Sequence, residues 1–62
     1  MTQELVRNRL IKYIEDNGAR MTFISRAVDT PDYIMSKFKT AKIELWEDNL
    51  TRVHEFLEER NY

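Results

Sequence analysis

Three lysines and two hydroxyl-bearing side chains lie close together in the middle of the chain and could bind a nucleic-acid backbone. They are Tyr33, Ser36, Lys37, Lys39 and Lys42. Lysines neutralise phosphates and fix the position of a protein on a duplex, and this attraction weakens steeply with salt. Tyr33 and Ser36 could reach base edges or thymine methyl groups in a major groove. The alternative is that all five belong to an ordinary solvated face.

Catalytic and metal chemistry find little support in the sequence. The chain has no cysteine, and its one histidine, His54, shares a helix face with Glu58 only. Two ligands make a weak metal site, so we expect His54 to be a surface residue. Ser25 and Ser36 have no nearby base, and a single glycine excludes the usual phosphate-cradling loop. We therefore predict a protein that is not an enzyme and holds no catalytic residue, metal or cofactor.

Charge is separated along the chain, although the formal net charge is only −1. Residues 20–42 hold five basic and two acidic residues, which leaves about +3. Residues 43–62 hold two basic and six acidic residues, which leaves about −4. The acidic residues are Glu44, Glu47, Asp48, Glu55, Glu58 and Glu59. A molecule of this kind should offer different faces to different partners.

Size and composition predict one small folded domain, residues 1–62. Apolar residues make up 42% of the chain and charged residues 34%, a balance typical of a globular helical domain. No apolar run approaches the roughly 18 residues of a membrane span, and the start, MTQELVRNRL, lacks the apolar core of a signal peptide. We therefore predict a cytoplasmic protein with no membrane partner.

Hydrophobic spacing predicts four helices and no strand, and these helices must position the candidate residues. The helices are predicted over about residues 2–17, 22–28, 31–39 and 46–60. Their apolar positions are Val6, Leu10, Tyr13 and Ile14; Phe23, Ile24, Ala27 and Val28; Ile34, Met35 and Phe38; and Trp46, Leu50, Val53, Phe56 and Leu57. Gly18 should close the first helix in the left-handed conformation.

The Thr30–Pro31 step should open the third helix. The hydroxyl of Thr30 can cap free amides, and Pro31 suits the first helical position. The outward face of this helix should then carry Asp32, Tyr33, Ser36, Lys37 and Lys39. Asp32 repels phosphate, so it either accepts a hydrogen bond from a cytosine amino group or only complements the helix dipole, and we favour the second role.

A short helix, a tight turn and a second helix, with a flanking helix on each side, form the arrangement of a helix-turn-helix DNA-binding domain. The stretch MTFISRAVDTPDYIMSKFKTAKIELWEDNLTRVHEFL resembles the phage repressor and Cro-like helix-turn-helix family, also called the xenobiotic-response-element type. The similarity covers about residues 10–57. Ile24 and Ser25 resemble a leucine-alanine pair of that family, and Asp29 stands where its turn usually has glycine. KTAK stands where the family often has asparagine-glycine-lysine.

The resemblance implies an all-α, lambda-repressor-like domain of four to five helices that binds double-stranded DNA. In that family the outward face of helix three reads the sequence, while the entry of helix two and the loop after helix three contact the backbone or base edges. Carried over to this chain, the DNA-binding residues are Arg20, Thr22, Asp32, Tyr33, Ser36, Lys37, Lys39, Thr40 and Lys42. A small transcriptional regulator of Cro or repressor type is the function that the resemblance implies.

Two kinds of protein partner are also possible, namely a second copy of the chain and a different protein. Repressors of this type commonly bind as two-fold dimers, and Trp46 and Tyr62 could form a self-association surface. Core packing is the simpler role for Trp46, and Tyr62 could be a loose terminal residue. Alternatively, a phage-type protein could use this scaffold as an inhibitor or adaptor and bind a protein through its acidic last helix. That acidic surface could equally be a solvated exterior that tunes solubility.

Overall fold

Four helices make up most of the chain in the computed structural model, which describes residues 2–62. They are α1 (Gln3–Asn17), α2 (Met21–Ala27), α3 (Asp32–Lys39) and α4 (Glu47–Glu59). No strand occurs among the described residues. The all-helical prediction with four helices is therefore confirmed, and each helix begins and ends within about one residue of the predicted bounds.

An apolar core joins the four helices. Leu10 of α1, Ile24 of α2, Phe38 of α3 and Leu57 of α4 are all fully buried in it. Burial of side chains of this size contributes about 1.5–3 kcal/mol each. In a chain with no cysteine, this packing is the main source of stability.

Local signals set both ends of α1. The Thr2 hydroxyl accepts a hydrogen bond from the Leu5 amide at 3.1 Å and caps the start of the helix. Gly18 follows the last turn with a φ of +61°, and its amide donates to the Ile14 carbonyl. Glycine has no Cβ to clash in this left-handed conformation, so the predicted helix end is confirmed.

The start of α3 differs from the prediction. Pro31 lies at the N-cap with a ψ of 146°, so it precedes the first helical residue and does not occupy that position. The hydroxyl of Thr30 caps no amide of α3, because Thr30 is buried and its Oγ1 donates to the Val28 carbonyl at 3.1 Å. The same oxygen accepts a hydrogen bond from Asn49 Nδ2 at 2.8 Å. Thr30 therefore fastens the turn to α4.

Three helices end at a residue with positive φ that is not glycine. These residues are Asp29 (51°), Ala41 (63°) and Asn61 (63°). In each case the next amide donates to a carbonyl five residues earlier, as Lys42 does to Lys37 at 2.9 Å, which is the Schellman arrangement. Asp and Asn tolerate the left-handed conformation better than other residues with a Cβ, so the strain is largest at Ala41.

Polar side chains of α1 hold the segment between α3 and α4. Gln3 Nε2 donates to the Leu45 carbonyl at 2.8 Å, and Gln3 Oε1 accepts from the Leu45 amide at 2.9 Å. Arg7 donates to the Phe38 carbonyl at 2.6 Å and to the Ile43 carbonyl at 3.2 Å. Its guanidinium also lies 4.7 Å from the centre of the Phe38 ring. This segment is therefore fixed although it has no regular secondary structure.

The structure contradicts the simpler of the predicted roles for Trp46 and for Tyr62. Trp46 is not in the core: its side chain is 86% exposed, because Trp46 is the extended N-cap residue of α4 and Leu45 fills the core beside it. Tyr62 is not loose, since its ring packs edge-on against Tyr13 at 5.2 Å. The Tyr62 hydroxyl also donates to Asp16 Oδ2 at 3.0 Å.

Candidate nucleic-acid interface

The helix α3 buries one side and exposes the other. Met35 and Phe38 are fully buried, whereas the opposite side is exposed to solvent. The exposed residues are Asp32, Tyr33, Ser36 and Lys37. Residues spaced in this way share one face of an α-helix, so the structure brings these four predicted site residues together. We call these four residues the α3 face.

The three candidate lysines gather at the C-terminal end of α3. Lys37 and Lys39 lie in its last turn, and the amide of Lys42 donates to the Lys37 carbonyl at 2.9 Å. Lys37 and Lys42 are exposed and Lys39 is half-buried. Within residues 2–62, none of the three forms an ion pair. Their positive charges complement the negative end of the helix dipole and remain available to an external anion.

Asp32 lies at the other end of the α3 face, in the first turn of the helix. It is exposed and forms no ion pair with any residue that the structure describes. A carboxylate at this position interacts favourably with the positive end of the helix dipole. This arrangement agrees with the dipole role that we favoured for Asp32.

Thr40 has a structural role that the sequence did not show. Its hydroxyl donates toward the Ser36 carbonyl at 3.1 Å and lies 3.3 Å from the Lys37 carbonyl. A phosphate oxygen accepts hydrogen bonds, so it needs a hydroxyl proton that is free. In this rotamer the proton of Thr40 is directed at carbonyls of the last turn of α3, and Thr40 acts as a cap of that helix.

Arg20 and Thr22 lie at the start of α2, where Arg20 is the N-cap residue. Both side chains are exposed and line an open cleft of about 770 Å³ between α1 and α2. Phe23 and Arg26 line the same cleft, and Phe23 is about half exposed although we predicted it on the apolar face. Arg26 was missing from the predicted site. Arg26 lies two residues after the buried Ile24, so helical spacing could have indicated that Arg26 is exposed.

His54 takes part in a network that joins α1 to α4. Its Nδ1 lies 3.0 Å from Arg9 Nη1, and its Nε2 lies 3.6 Å from Glu58 Oε1. Arg9 also forms an ion pair with Glu58 at 3.2 Å. The side chains of His54 and Glu58 thus contact each other and Arg9 within the fold. No group of three histidine, aspartate or glutamate residues in the described part of the chain could hold a metal ion.

No protein-family model, curated protein or solved structure matches this chain. The resemblance to phage repressors therefore stays a prediction from the sequence, and the function has to be inferred from the residues themselves. Across residues 2–62, no helix is both long enough and apolar enough to cross a membrane.

Proposed function

We propose that this chain is a helix-turn-helix protein that binds double-stranded DNA and acts as a small transcriptional regulator of Cro or repressor type. In this proposal α2 and α3 form the helix-turn-helix unit, and α3 enters the major groove. The observation that carries the proposal is the exposed α3 face together with the neighbouring Lys39 and Lys42, because none of the three lysines has an ion-pair partner among residues 2–62.

The dimensions and chemistry of α3 suit a major groove. An α-helix with its side chains is about 10–12 Å across, and the major groove is about 12 Å wide. Tyr33 and Ser36 on the exposed face carry groups that hydrogen-bond to base edges or contact thymine methyls. Lys37 and Lys42 at the end of the helix would contact phosphates and set its position along the groove.

The acidic residues restrict how DNA could approach. Five of the six acidic residues after position 42 lie on α4, and all five are exposed. Carboxylates repel phosphates, so DNA would approach from the side of α3 with the acidic side of α4 turned away. The net charge of −1 is therefore compatible with DNA binding through one basic side.

A protein-binding role through the acidic last helix is the second candidate function. The observation that favours it is the exposure of Glu55 and Glu59, which line a shallow cleft together with Arg52 and Arg60. Glu58 contributes less, because it is engaged with Arg9. Reversing the charges of Glu55 and Glu59 should abolish partner binding if this function holds, and should leave DNA binding in place.

Fluorescence anisotropy with labelled, pooled random duplex DNA tests the first function. The test variant is Lys37→Glu/Lys42→Glu, and the matched control is Lys12→Glu/Arg52→Glu, which changes the net charge by the same amount at exposed positions elsewhere. Lys39 is left in place because it is half-buried. Circular dichroism shows whether each variant is folded.

We expect the wild-type affinity to fall steeply with salt and the test variant to lose more than about tenfold in affinity. Two lost phosphate contacts should also lower the slope of log affinity against log salt by about two. The control variant should bind almost as well as the wild type. A folded wild-type protein that binds no DNA at low salt would overturn the proposal, as would equal losses in the two variants.

A further inference from the structure

Trp46 is exposed although nothing in the fold requires it. Its side chain is 86% exposed, more than any other large apolar side chain that the structure describes. As the N-cap of α4 it uses only its main chain, whose carbonyl accepts from the Leu50 amide at 2.8 Å. Tryptophan is among the residues that dominate the binding energy of protein interfaces when it is buried there. An indole held in water on a fixed backbone therefore points to a contact outside the fold.

A groove of about 260 Å³ opens beside the indole. We define the Trp46 groove by its apolar lining residues, which are Pro31, Ile34, Ile43, Leu45 and Trp46. The hydrogen bond from Asn49 to Thr30, at 2.8 Å, joins two polar residues that also line it and fixes the turn against α4. None of the four residues of the α3 face lines the groove, so the two surfaces share no residue.

Three carboxylates lie within two residues of Trp46 in the chain. Glu44 lines the groove, and Glu47 and Asp48 follow in the first turn of α4. All three are exposed, and none forms an ion pair with another residue of the described chain. We refer to these three carboxylates as the rim of the Trp46 groove, whose lining is otherwise mostly apolar.

We propose that the Trp46 groove binds a segment of a partner protein in which a lysine or arginine stands beside a bulky apolar residue. The apolar side chain fills the space between Ile34 and Ile43, and the cation lies over the indole of Trp46, where the aromatic face attracts it. The carboxylates of the rim complement the same cation. This site is independent of the proposed DNA binding.

Charge disfavours two other occupants. Duplex DNA would bring phosphates against Glu44, Glu47 and Asp48, which repel them. A second copy seated symmetrically would bring both sets of three carboxylates into one interface, because a two-fold interface uses the same patch of each molecule, and their mutual repulsion disfavours it. A basic, apolar segment is the occupant that complements both the lining and the rim.

Selection from a phage-displayed library of random dodecapeptides tests the proposal, with protein-free supports used to remove non-specific binders. The selected peptides, synthesised without tryptophan, are then titrated into the wild-type protein. Trp46 is the only tryptophan of the chain, so its emission reports on the groove directly. Binding to variants is measured by anisotropy of the labelled peptides.

We expect the selected peptides to carry lysine or arginine next to an apolar residue and to shift the emission of Trp46 to shorter wavelength. Glu44→Gln/Glu47→Gln and Trp46→Ala should each weaken binding by about tenfold or more. The matched control Glu55→Gln/Glu59→Gln should bind the peptides like the wild type. The DNA-binding variant Lys37→Glu/Lys42→Glu should bind them at least as tightly, because it adds negative charge next to the groove. Peptide binding should therefore be observed even if the chain or its variant binds no DNA.

Three results would overturn the proposal. The first is a selection that enriches no sequence, or enriches sequences without basic residues. The second is equal peptide binding by the wild-type and Trp46→Ala proteins. The third is a dimer in sedimentation analysis that Trp46→Ala converts to a monomer, because the occupant would then be a second copy of this chain.

Discussion

Ala41→Gly should stabilise the protein, because the backbone at position 41 is left-handed. The φ of Ala41 is +63°, a conformation in which a Cβ costs about 1–2 kcal/mol. Glycine removes that strain but gives the unfolded chain more freedom, which offsets about 0.4–1 kcal/mol. The hydrogen bonds of this helix end are made by backbone atoms and persist in the variant. The net gain should be roughly 0.5–1 kcal/mol, or about 2–8 °C in Tm for a domain of this size.

Urea and thermal unfolding followed by circular dichroism measure this gain. The matched control is Ala27→Gly, since Ala27 is also exposed but lies within α2, where the backbone is helical. Ala27 is the last residue of α2, so removing the same methyl group there should destabilise the protein by about 0.5 kcal/mol. Opposite signs for the two variants are the expected result. If both variants lose stability, the left-handed conformation of Ala41 is refuted.

Substitutions at three further positions test buried and half-buried polar groups by urea unfolding. Ser25→Ala should stabilise by about 1 kcal/mol, because Ser25 Oγ is buried without a hydrogen-bond partner among the described residues, and a loss of stability would mean that the hydroxyl is paired. Thr30→Val should lower the free energy of unfolding by about 1–3 kcal/mol, because the Asn49 amide loses its acceptor. Thr30→Ser keeps the hydroxyl and should lower it less. Equal losses in the two variants would contradict a role for the hydrogen bond. Arg7→Met should lower the free energy of unfolding by about 1.5–3 kcal/mol, because the Phe38 carbonyl loses a charged donor. Arg7→Lys should recover only part of this loss. Unchanged stability in Arg7→Met would show that the contact contributes nothing.

Local signals made the helices predictable. Apolar residues at three- and four-residue spacing mark all four helices, and Gly18 marks the end of the first. The same spacing predicted the outward side of α3, since Met35 and Phe38 set the buried side. Periodicity could not place Trp46, which lies four residues before Leu50 and so fits the pattern of α4. An N-cap residue has an extended backbone, however, and its side chain leaves the helical face.

The features that the sequence did not predict depend on contacts between residues that are far apart in sequence. Thr30 has a hydroxyl that suits a helix cap, but its partner Asn49 lies 19 residues later. Arg7 reaches a carbonyl 31 residues away, and nothing near Arg7 in the sequence indicates it. The Trp46 groove is likewise built from the start of α3 and the segment before α4. Such features follow from tertiary packing and have no local pattern.

The hydrogen bonds between Gln3 and Leu45 make the first turn of α1 part of both proposed surfaces. The Leu45 amide donates to a side chain 42 residues away, so its hydrogen exchanges with solvent when the first turn of α1 frays and this bond opens. The segment that carries Lys42 and leads to Trp46 is ordered by this docking. A shorter peptide of α2 and α3 would therefore lack an ordered lysine end and groove. Any change that frays the start of α1 should loosen the two surfaces together, as one cooperative unit.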